Sequence, residues 1–317
     1  MDRSDKVFVA GHTGMVGSAV VRLFKKLGFS NLVLRTRKEL DLRDSAAVEG
    51  FFRAEKPDVV ILAAARVGGI QANIDCPAEF LYENLIIQTN VIRQSYLGGV
   101  KKFCFLGSSC VYPRQCPQPM KEEYLMTGPL EPTNEGYAIA KIAGLKMVEY
   151  YTKEHGFNGI SVVPCNLYGT NDSFDPLHSH VLSALVRKVV DAADSSVGSV
   201  TIWGSGNARR EFMHVDDAAE AIFFLMEHYD SPEIINIGWG EDVSIKDLAA
   251  LIARKAGFEG RFVYDASRPD GMPRKCLDVL RMKALGCAPE IFLEDGVQRT
   301  IEEYRELKKR NLTGGSL

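Results

Sequence analysis

Three features of this chain predict an α/β fold: a doubly wound parallel sheet with a smaller, discontinuous C-terminal lobe. Short apolar runs at 7–10, 32–34, 59–62, 102–106 and 160–164 alternate with helical patterns at 18–27, 45–55, 78–98 and 137–155, the rhythm of βαβ units. The runs carry few polar side chains, as strands covered by helices on both faces require. A glycine-rich turn joins the first run to the first helix.

Taken in order, Val7-Phe8-Val9-Ala10 reads as a buried strand, and Gly11-His12-Thr13-Gly14-Met15-Val16-Gly17 turns it into an amphipathic helix. Backbone amides at such a helix start can face a pyrophosphate. The second strand ends at Leu34 and is followed by Arg35-Thr36-Arg37. An acidic residue there would take the adenosine ribose hydroxyls of NAD, whereas guanidinium groups grip a 2′-phosphate, so NADP is favoured. Asp41 and Leu42 fall where the adenine would lie. The third strand runs into Ala63-Ala64-Ala65, and a long helical pattern leads to the fourth. That strand ends in Gly107-Ser108-Ser109-Cys110-Val111-Tyr112-Pro113, small hydroxyl residues at the sheet edge where open α/β folds bind ligands. The next helix opens with Tyr137-Ala138-Ile139-Ala140-Lys141. One turn apart, phenol and ammonium share a helix face, and the ammonium should lower the phenol from about 10 towards working pH. Tyr137 is then a proton donor to a carbonyl, with Ser108 bonded to the same oxygen.

After Asn166-Leu167-Tyr168-Gly169 the pattern changes to a polar segment rich in Asp, Ser and His, a helix over 181–193, a strand over 200–203 and the turn Gly204-Ser205-Gly206. A helix over 211–229 and a strand over 234–238 read as returning to the first sheet. The expected division is therefore 1–165 plus about 211–240 for the dinucleotide domain, and about 166–210 plus 241–317 for the second. The latter resumes with a helix over 245–257, a polar loop over 268–275 and a last helix over 293–308.

Composition narrows the class. Of 317 residues 46% are hydrophobic, and 38 basic against 41 acidic side chains leave a formal charge of -3 without a basic stripe, which argues against nucleic acid. The longest apolar stretch, 59–65, is strand-sized, and no apolar leader precedes the first strand, so a cytoplasmic protein without a membrane span is expected. Seven cysteines, with no C-x-x-C pair, fit reduced thiols. His178 and His180 have no third ligand at a recognisable spacing, so no metal is expected.

With Gly-x-x-Gly-x-x-Gly, Ser108 and Tyr-x-x-x-Lys in this order, the chain resembles the extended short-chain dehydrogenase/reductase superfamily. The closer resemblance, over essentially the whole chain, is to the GDP-L-fucose synthase family. It is carried by Ala63-Ala64-Ala65-Arg66-Val67-Gly68-Gly69-Ile70, Leu106 to Cys110, Glu131-Pro132-Thr133-Asn134, Tyr137 to Lys141, Trp203-Gly204-Ser205-Gly206, Arg210-Glu211-Phe212 and Asp270-Gly271 to Lys275. The resemblance implies a Rossmann domain binding NADPH, a homodimer, and an enzyme that epimerises C3 and C5 of GDP-4-keto-6-deoxy-D-mannose and then reduces C4.

Carried onto this sequence, it makes Ser108, Cys110, Tyr137, Lys141 and His180 catalytic, with Cys110 removing the α-protons and His180 returning them from the opposite face. The dinucleotide would be met by Gly11, Thr13, Gly14, Met15, Val16 and Gly17, by Arg35, Arg37, Asp41 and Leu42, and by Ala63 and Ala65. Pro164, Asn166, Leu167 and His180, with Tyr137 and Lys141, would complete its nicotinamide end. The GDP-sugar would contact Ser108, Ser109, Cys110 and Asn166, and in the second lobe Arg187, Lys188, Trp203, Arg210 and Lys275.

Three departures stand out. Thr13 replaces an arginine common in bacterial members, Cys165 replaces a threonine, and Thr170-Asn171-Asp172-Ser173-Phe174 differs from the usual segment. The last two flank the sugar pocket and keep open another GDP-4-keto-sugar, leading to GDP-L-colitose or a GDP-6-deoxy-heptose. A 4,6-dehydratase needs an Asp-Glu pair after the serine motif, absent from Ser109-Cys110-Val111. A 4-epimerase holds NAD permanently, against the Arg35 and Arg37 reading. A non-catalytic NADP-sensing module has no use for Ser108, Tyr137 and Lys141 together.

Overall fold

The computed structural model describes residues 1–175, 179–267 and 271–313. From the N-terminus, β1 (Val7–Ala10), α1 (Met15–Lys26), β2 (Leu32–Val33), α2 (Ser45–Glu55), β3 (Val59–Leu62), α3 (Ile70–Asp75), α4 (Pro77–Leu97), β4 (Lys102–Leu106), α5 (Glu135–His155) and β5 (Gly159–Pro164) build the first lobe. They are followed by β6 (Asn166–Tyr168), α6 (Val181–Asp194), β7 (Ser199–Trp203), β8 (Arg209–His214), α7 (Val215–His228), β9 (Ile234–Ile237), β10 (Asp242–Ser244), α8 (Ile245–Ala256), β11 (Arg261–Asp265), β12 (Arg274–Lys275), α9 (Leu280–Ala284) and α10 (Leu293–Thr313).

Six strands form one parallel sheet in the order β2-β1-β3-β4-β5-β9. Every residue of β1, β3, β4 and β9 is buried, because α1 packs with α7 while α2, α4 and α5 pack in series, leaving no strand face to water. The strand order reverses between β1 and β3, and the crevice beyond their C-terminal ends is where such sheets take ligands.

The smaller lobe centres on β8, flanked by β10 and β12 and joined by β6, with β7 and β11 paired separately. Its core forms because Leu182, Val186 and Val189 recur at helical spacing on α6 and meet Leu248 and Ile252 of α8 and Val297 and Ile301 of α10.

Two expectations are corrected. Residues 211–214 are strand, and the helix expected over 211–229 begins only at Val215, where the His214 side chain accepts from the Asp216 N–H and caps it. Nor do residues 241–317 belong wholly to the smaller lobe: Met272, Leu277, Val279, Met282 and Cys287 pack into the core of the large sheet. The predicted loop residues 268–270, His178 and the tail 314–317 lie outside the described residues.

Glu211 ties the lobes together. Buried on β8, it accepts from the N–H groups of Gly240, just beyond β9, at 2.6 Å and Leu277 at 2.8 Å. Burial nevertheless pushes its carboxyl up to about 7, outweighing these N–H donors and that of Trp239. A carboxyl raised on folding contributes stability that is full below its unfolded value and lost as pH rises through the folded one. Glu211→Gln should therefore gain on wild type between pH 5 and 8, by roughly 3 kcal/mol at most for a shift of this size. Urea unfolding of both proteins across that range checks this, and parallel pH profiles would refute it.

Candidate active site

One cavity of about 1070 Å³ runs between the lobes, from the glycine turn past the ends of β1, β3 and β4 to α6 and β12. Its dinucleotide end follows from two glycines. Gly11 has φ +87° and sits so close to β3's exit that a Cβ would lie 2.6 Å from the Ala64 nitrogen. A Cβ on Gly17 would lie 2.1 Å from the Gly11 oxygen. The chain can therefore fold tightly over the end of β1 only with glycine at both positions. Gly14 precedes α1 without a side-chain cap, so the first amides of the helix, at Met15 and Val16, are not claimed by a side chain. These features fit a pyrophosphate, and Thr13, Ala63 and Ala65 line the same wall.

Arg35, Arg37, Asp41 and Leu42 line the next stretch. Arg35 is already held, donating to the Leu34 carbonyl at 3.0 Å and to Glu55 at 2.6 Å. Arg37 is more open, 67% exposed and 4.0 Å from Asp41. Arg43, which sequence reasoning missed, hydrogen-bonds Asp41 and holds its carboxyl down at about 2. Nothing in the sequence marked it beyond its charge. Loss of one charge-assisted phosphate contact predicts that Arg37→Ala raises the NADPH KM about 10- to 100-fold, leaving that for NADH little changed. Parallel titrations with both coenzymes measure the ratio.

At the reaction end, β4 delivers Ser108, Ser109 and Cys110, and α5 delivers Tyr137 and Lys141. Ser108 caps a 3-10 turn over Ser109–Val111, its side chain accepting weakly from the Cys110 N–H at 3.4 Å. Lys141 is buried, donates to the Leu106 carbonyl at 2.8 Å and lies 5.8 Å from the Tyr137 ring centroid. Burial brings its ammonium down to about 8, against the opposing influence of Cys110. The expected lowering of the Tyr137 phenol is not found: burial, aided by Cys110, raises it well above the usual tyrosine value, and only hydrogen bonding with Ser108 opposes this.

Cys110 is also raised by burial, with Lys275, Ser108 and Lys141 pulling the other way. Lys275 enters from β12 and is lowered by burial, Cys110 opposing. The thiol thus faces two lysines from opposite lobes. Pro164, Asn166 and Leu167 line the floor after β5, where the Asn166 amide is fixed by donating to the Glu211 carbonyl at 2.8 Å.

Across the cleft, α6 presents His180, Val181, Ala184, Leu185 and Lys188, a helical stripe. His180 stands at the N-cap of α6 and is exposed to the cavity. Arg187 is a correction. One residue from Lys188, it lies on another face of α6 and does not line the cavity, donating instead to the Phe174 carbonyl at 2.7 Å. Lys188 lies 5.3 Å over the Trp203 ring, which is 47% exposed and lines the cavity. Arg210 is anchored by donating to the Met272 carbonyl at 2.6 Å. Asn134, part of the Glu131-Pro132-Thr133-Asn134 motif, and Asn73, which no motif marked, also line this cavity.

Residues 7–238 match the NAD dependent epimerase/dehydratase family. GDP-L-fucose synthase 1 of Arabidopsis thaliana is 52% identical, covering 96% of this chain and 94% of its own length. GDP-L-fucose synthase of Escherichia coli is 49% identical, covering 96% and 98%. Among solved structures, the GDP-mannoheptose C4 reductase MlghC of Campylobacter jejuni, with NADP bound, superposes with a TM-score of 0.89 at 40% identity, covering 96% of this chain and 99% of its own. By these measures the chain belongs to the NAD dependent epimerase/dehydratase family, and within it to the GDP-L-fucose synthases.

Proposed function

We propose that this chain takes GDP-4-keto-6-deoxy-D-mannose, inverts C3 and C5, and reduces C4 with NADPH to give GDP-L-fucose. The observation that carries the reading is the meeting of Ser108, Cys110, Tyr137 and Lys141 on one wall of a single cleft with His180 on the other. Epimerisation beside a ketone needs a base on one face, an acid on the other and a holder for the enolate oxygen. Cys110, flanked by Lys141 and Lys275, removes the α-protons, and His180 returns them from the opposite face. Ser108 and Tyr137 hold the C4 oxygen throughout.

The glycine turn, Arg35, Arg37 and the floor residues after β5 hold NADPH, which supplies the hydride for C4. Tyr137 then places its phenolic proton on the C4 oxygen. Burial keeps the phenol protonated, so the proton is in place for that step. Lys188, Arg210 and Trp203 take the GDP, the cations at the phosphates and the ring at the base.

The chain works as a homodimer in the cytoplasm on this reading. Support for pairing comes from α4 and α5, which expose Tyr82 at 60%, Leu97 at 57% and Tyr150 at 58% on adjoining helices. All seven cysteines are free, in keeping with a reducing compartment.

A GDP-heptose substrate is the second reading, favoured by the 40% identity to the GDP-mannoheptose reductase. NADPH oxidation in deuterated water, with NMR of the product, decides. GDP-L-fucose labelled at C3 and C5 supports the proposal, whereas turnover only of a GDP-4-keto-heptose moves the assignment.

A further inference from the structure

Two amide oxygens in the cleft wall have no donor. Asn73, on α3, is only 6% exposed. Its Nδ2 donates to the carbonyls of both Gly68 and Gly69 at 3.0 Å, which fixes the orientation, because a flipped amide would set its oxygen against two carbonyl oxygens. Oδ1 is then an obligate acceptor, and it is buried without a hydrogen bond. Asn134, on the turn against which α3 packs, also has an unpaired oxygen. It occupies the N-cap of α5, where asparagine ordinarily accepts from the helix amides, yet it makes no such bond and its Oδ1 is buried and unpaired.

Structural asparagines in this fold look different. Asn84 accepts from the Arg66 N–H and donates to two carbonyls, and Asn236 accepts from the Tyr112 hydroxyl and likewise donates twice. A buried acceptor left without a donor is costly, so two in one cavity wall point to donors arriving with a ligand. Position says which ligand. Asn134 stands three residues before Tyr137, on the same face of the first turn, and so beside the phenol that meets the ketone. On the other side, α3 looks to the GDP-binding lobe: a Cβ on Gly271 would lie 4.0 Å from Ile70 and 3.3 Å from Arg210.

We infer that Asn134 accepts a hydrogen bond from the hydroxyl on the sugar carbon next to the ketone and Asn73 from the sugar's other free hydroxyl, since each hydroxyl has one proton to give, and so make the site selective for substrates that carry them. The inference rests on the GDP-keto-sugar reading above and names what that substrate must bear. A site with acceptors built for a hydroxyl discriminates strongly against an analogue lacking it, because the acceptors are then left unpaired.

The test compares kcat/KM for GDP-4-keto-6-deoxy-D-mannose and for the same sugar without its 3-hydroxyl, each assayed as NADPH oxidation. Wild type should prefer the hydroxylated sugar by at least about 100-fold, and Asn134→Ala should reduce that preference about 10-fold, acting only on the hydroxylated substrate, whereas Asn73→Ala should lower kcat/KM about 10-fold on both sugars. Asn73→Ala also releases the Gly68 and Gly69 carbonyls, so Asn134→Ala, which breaks no existing hydrogen bond of its oxygen, is the decisive variant if the first does not fold. Equal losses on both substrates in Asn134→Ala would mark a structural role and overturn the inference. So would a weakened NADPH dissociation constant in that variant, which would trace the donor to the nicotinamide carboxamide. If wild type uses the hydroxylated sugar without preference, this inference alone fails; if it uses neither sugar, the function reading fails and takes the inference with it.

Discussion

Tyr137→Phe should slow NADPH-dependent reduction by about 10²- to 10⁴-fold, the usual contribution of a positioned acid, while solvent deuterium still enters C3 and C5 of the substrate. The split follows from where the phenol stands. Tyr137 lies at the start of α5 with its ring over Lys141, and Ser108 approaches the same group from the end of β4. During proton exchange the C4 oxygen needs hydrogen bonding, and Ser108 still provides one donor when the tyrosine hydroxyl is gone. Reduction makes an alkoxide that must be protonated, and no other neutral acid stands at that position on α5. Burial keeps the phenol protonated across the physiological range, so the reduction rate should show no fall on the alkaline side attributable to Tyr137 up to pH 9. Melting curves would confirm that the variant folds. Equal loss of exchange and reduction would instead mean that Tyr137 serves both halves of the reaction.

Much of this site was legible because its signals are local. The glycines at 11 and 17 answer to backbone clashes within one turn, and Ser108 and Tyr137 are fixed by a strand end and a helix start. Features set by tertiary packing are not written in local sequence in this way. The Tyr137 phenol was expected to fall because an ammonium lies one turn away, but its desolvation depends on the packing of two lobes. Arg187 and Lys188 are adjacent cations, and which one faces the cleft depends on the rotation of α6 about its axis. The register was present in the sequence as the stripe 181, 184, 185, 188, the feature that would have chosen Lys188. The start of α7 was misplaced because a histidine caps it, a residue outside the usual capping set, and no glycine or proline separates it from β8. Asn134 stands in the Glu131-Pro132-Thr133-Asn134 motif, but Asn73 gave no signal, and an unsatisfied oxygen exists only once its neighbours are known.

Cys110→Ser should lower deuterium entry at C3 and C5 by at least about 10²-fold while leaving NADPH binding intact. A hydroxyl in place of the thiol keeps the shape and the hydrogen-bonding capacity but is far harder to ionise, so only a role as base is removed. The alternative for a buried cysteine is packing, and Cys110 is only 5% exposed. Serine at a purely structural position would cost stability and spare the exchange rate, so the two measurements separate the roles. The electrostatics also set a pH signature. Burial raises the thiol while Lys275 and Lys141 draw it back, so at neutral pH the thiolate is a minority species. Its fraction grows with pH, and exchange in the wild type should climb on the alkaline side until Lys141, brought down to about 8, begins to lose its charge. Lys275→Met removes one of the two charges holding the thiolate and should move the rising limb to higher pH, an effect that a lysine serving only the diphosphate would not produce. On the proposed mechanism the cleft separates its two acid–base tasks by environment: a phenol kept neutral to give a proton, and a thiol held between lysines to take one.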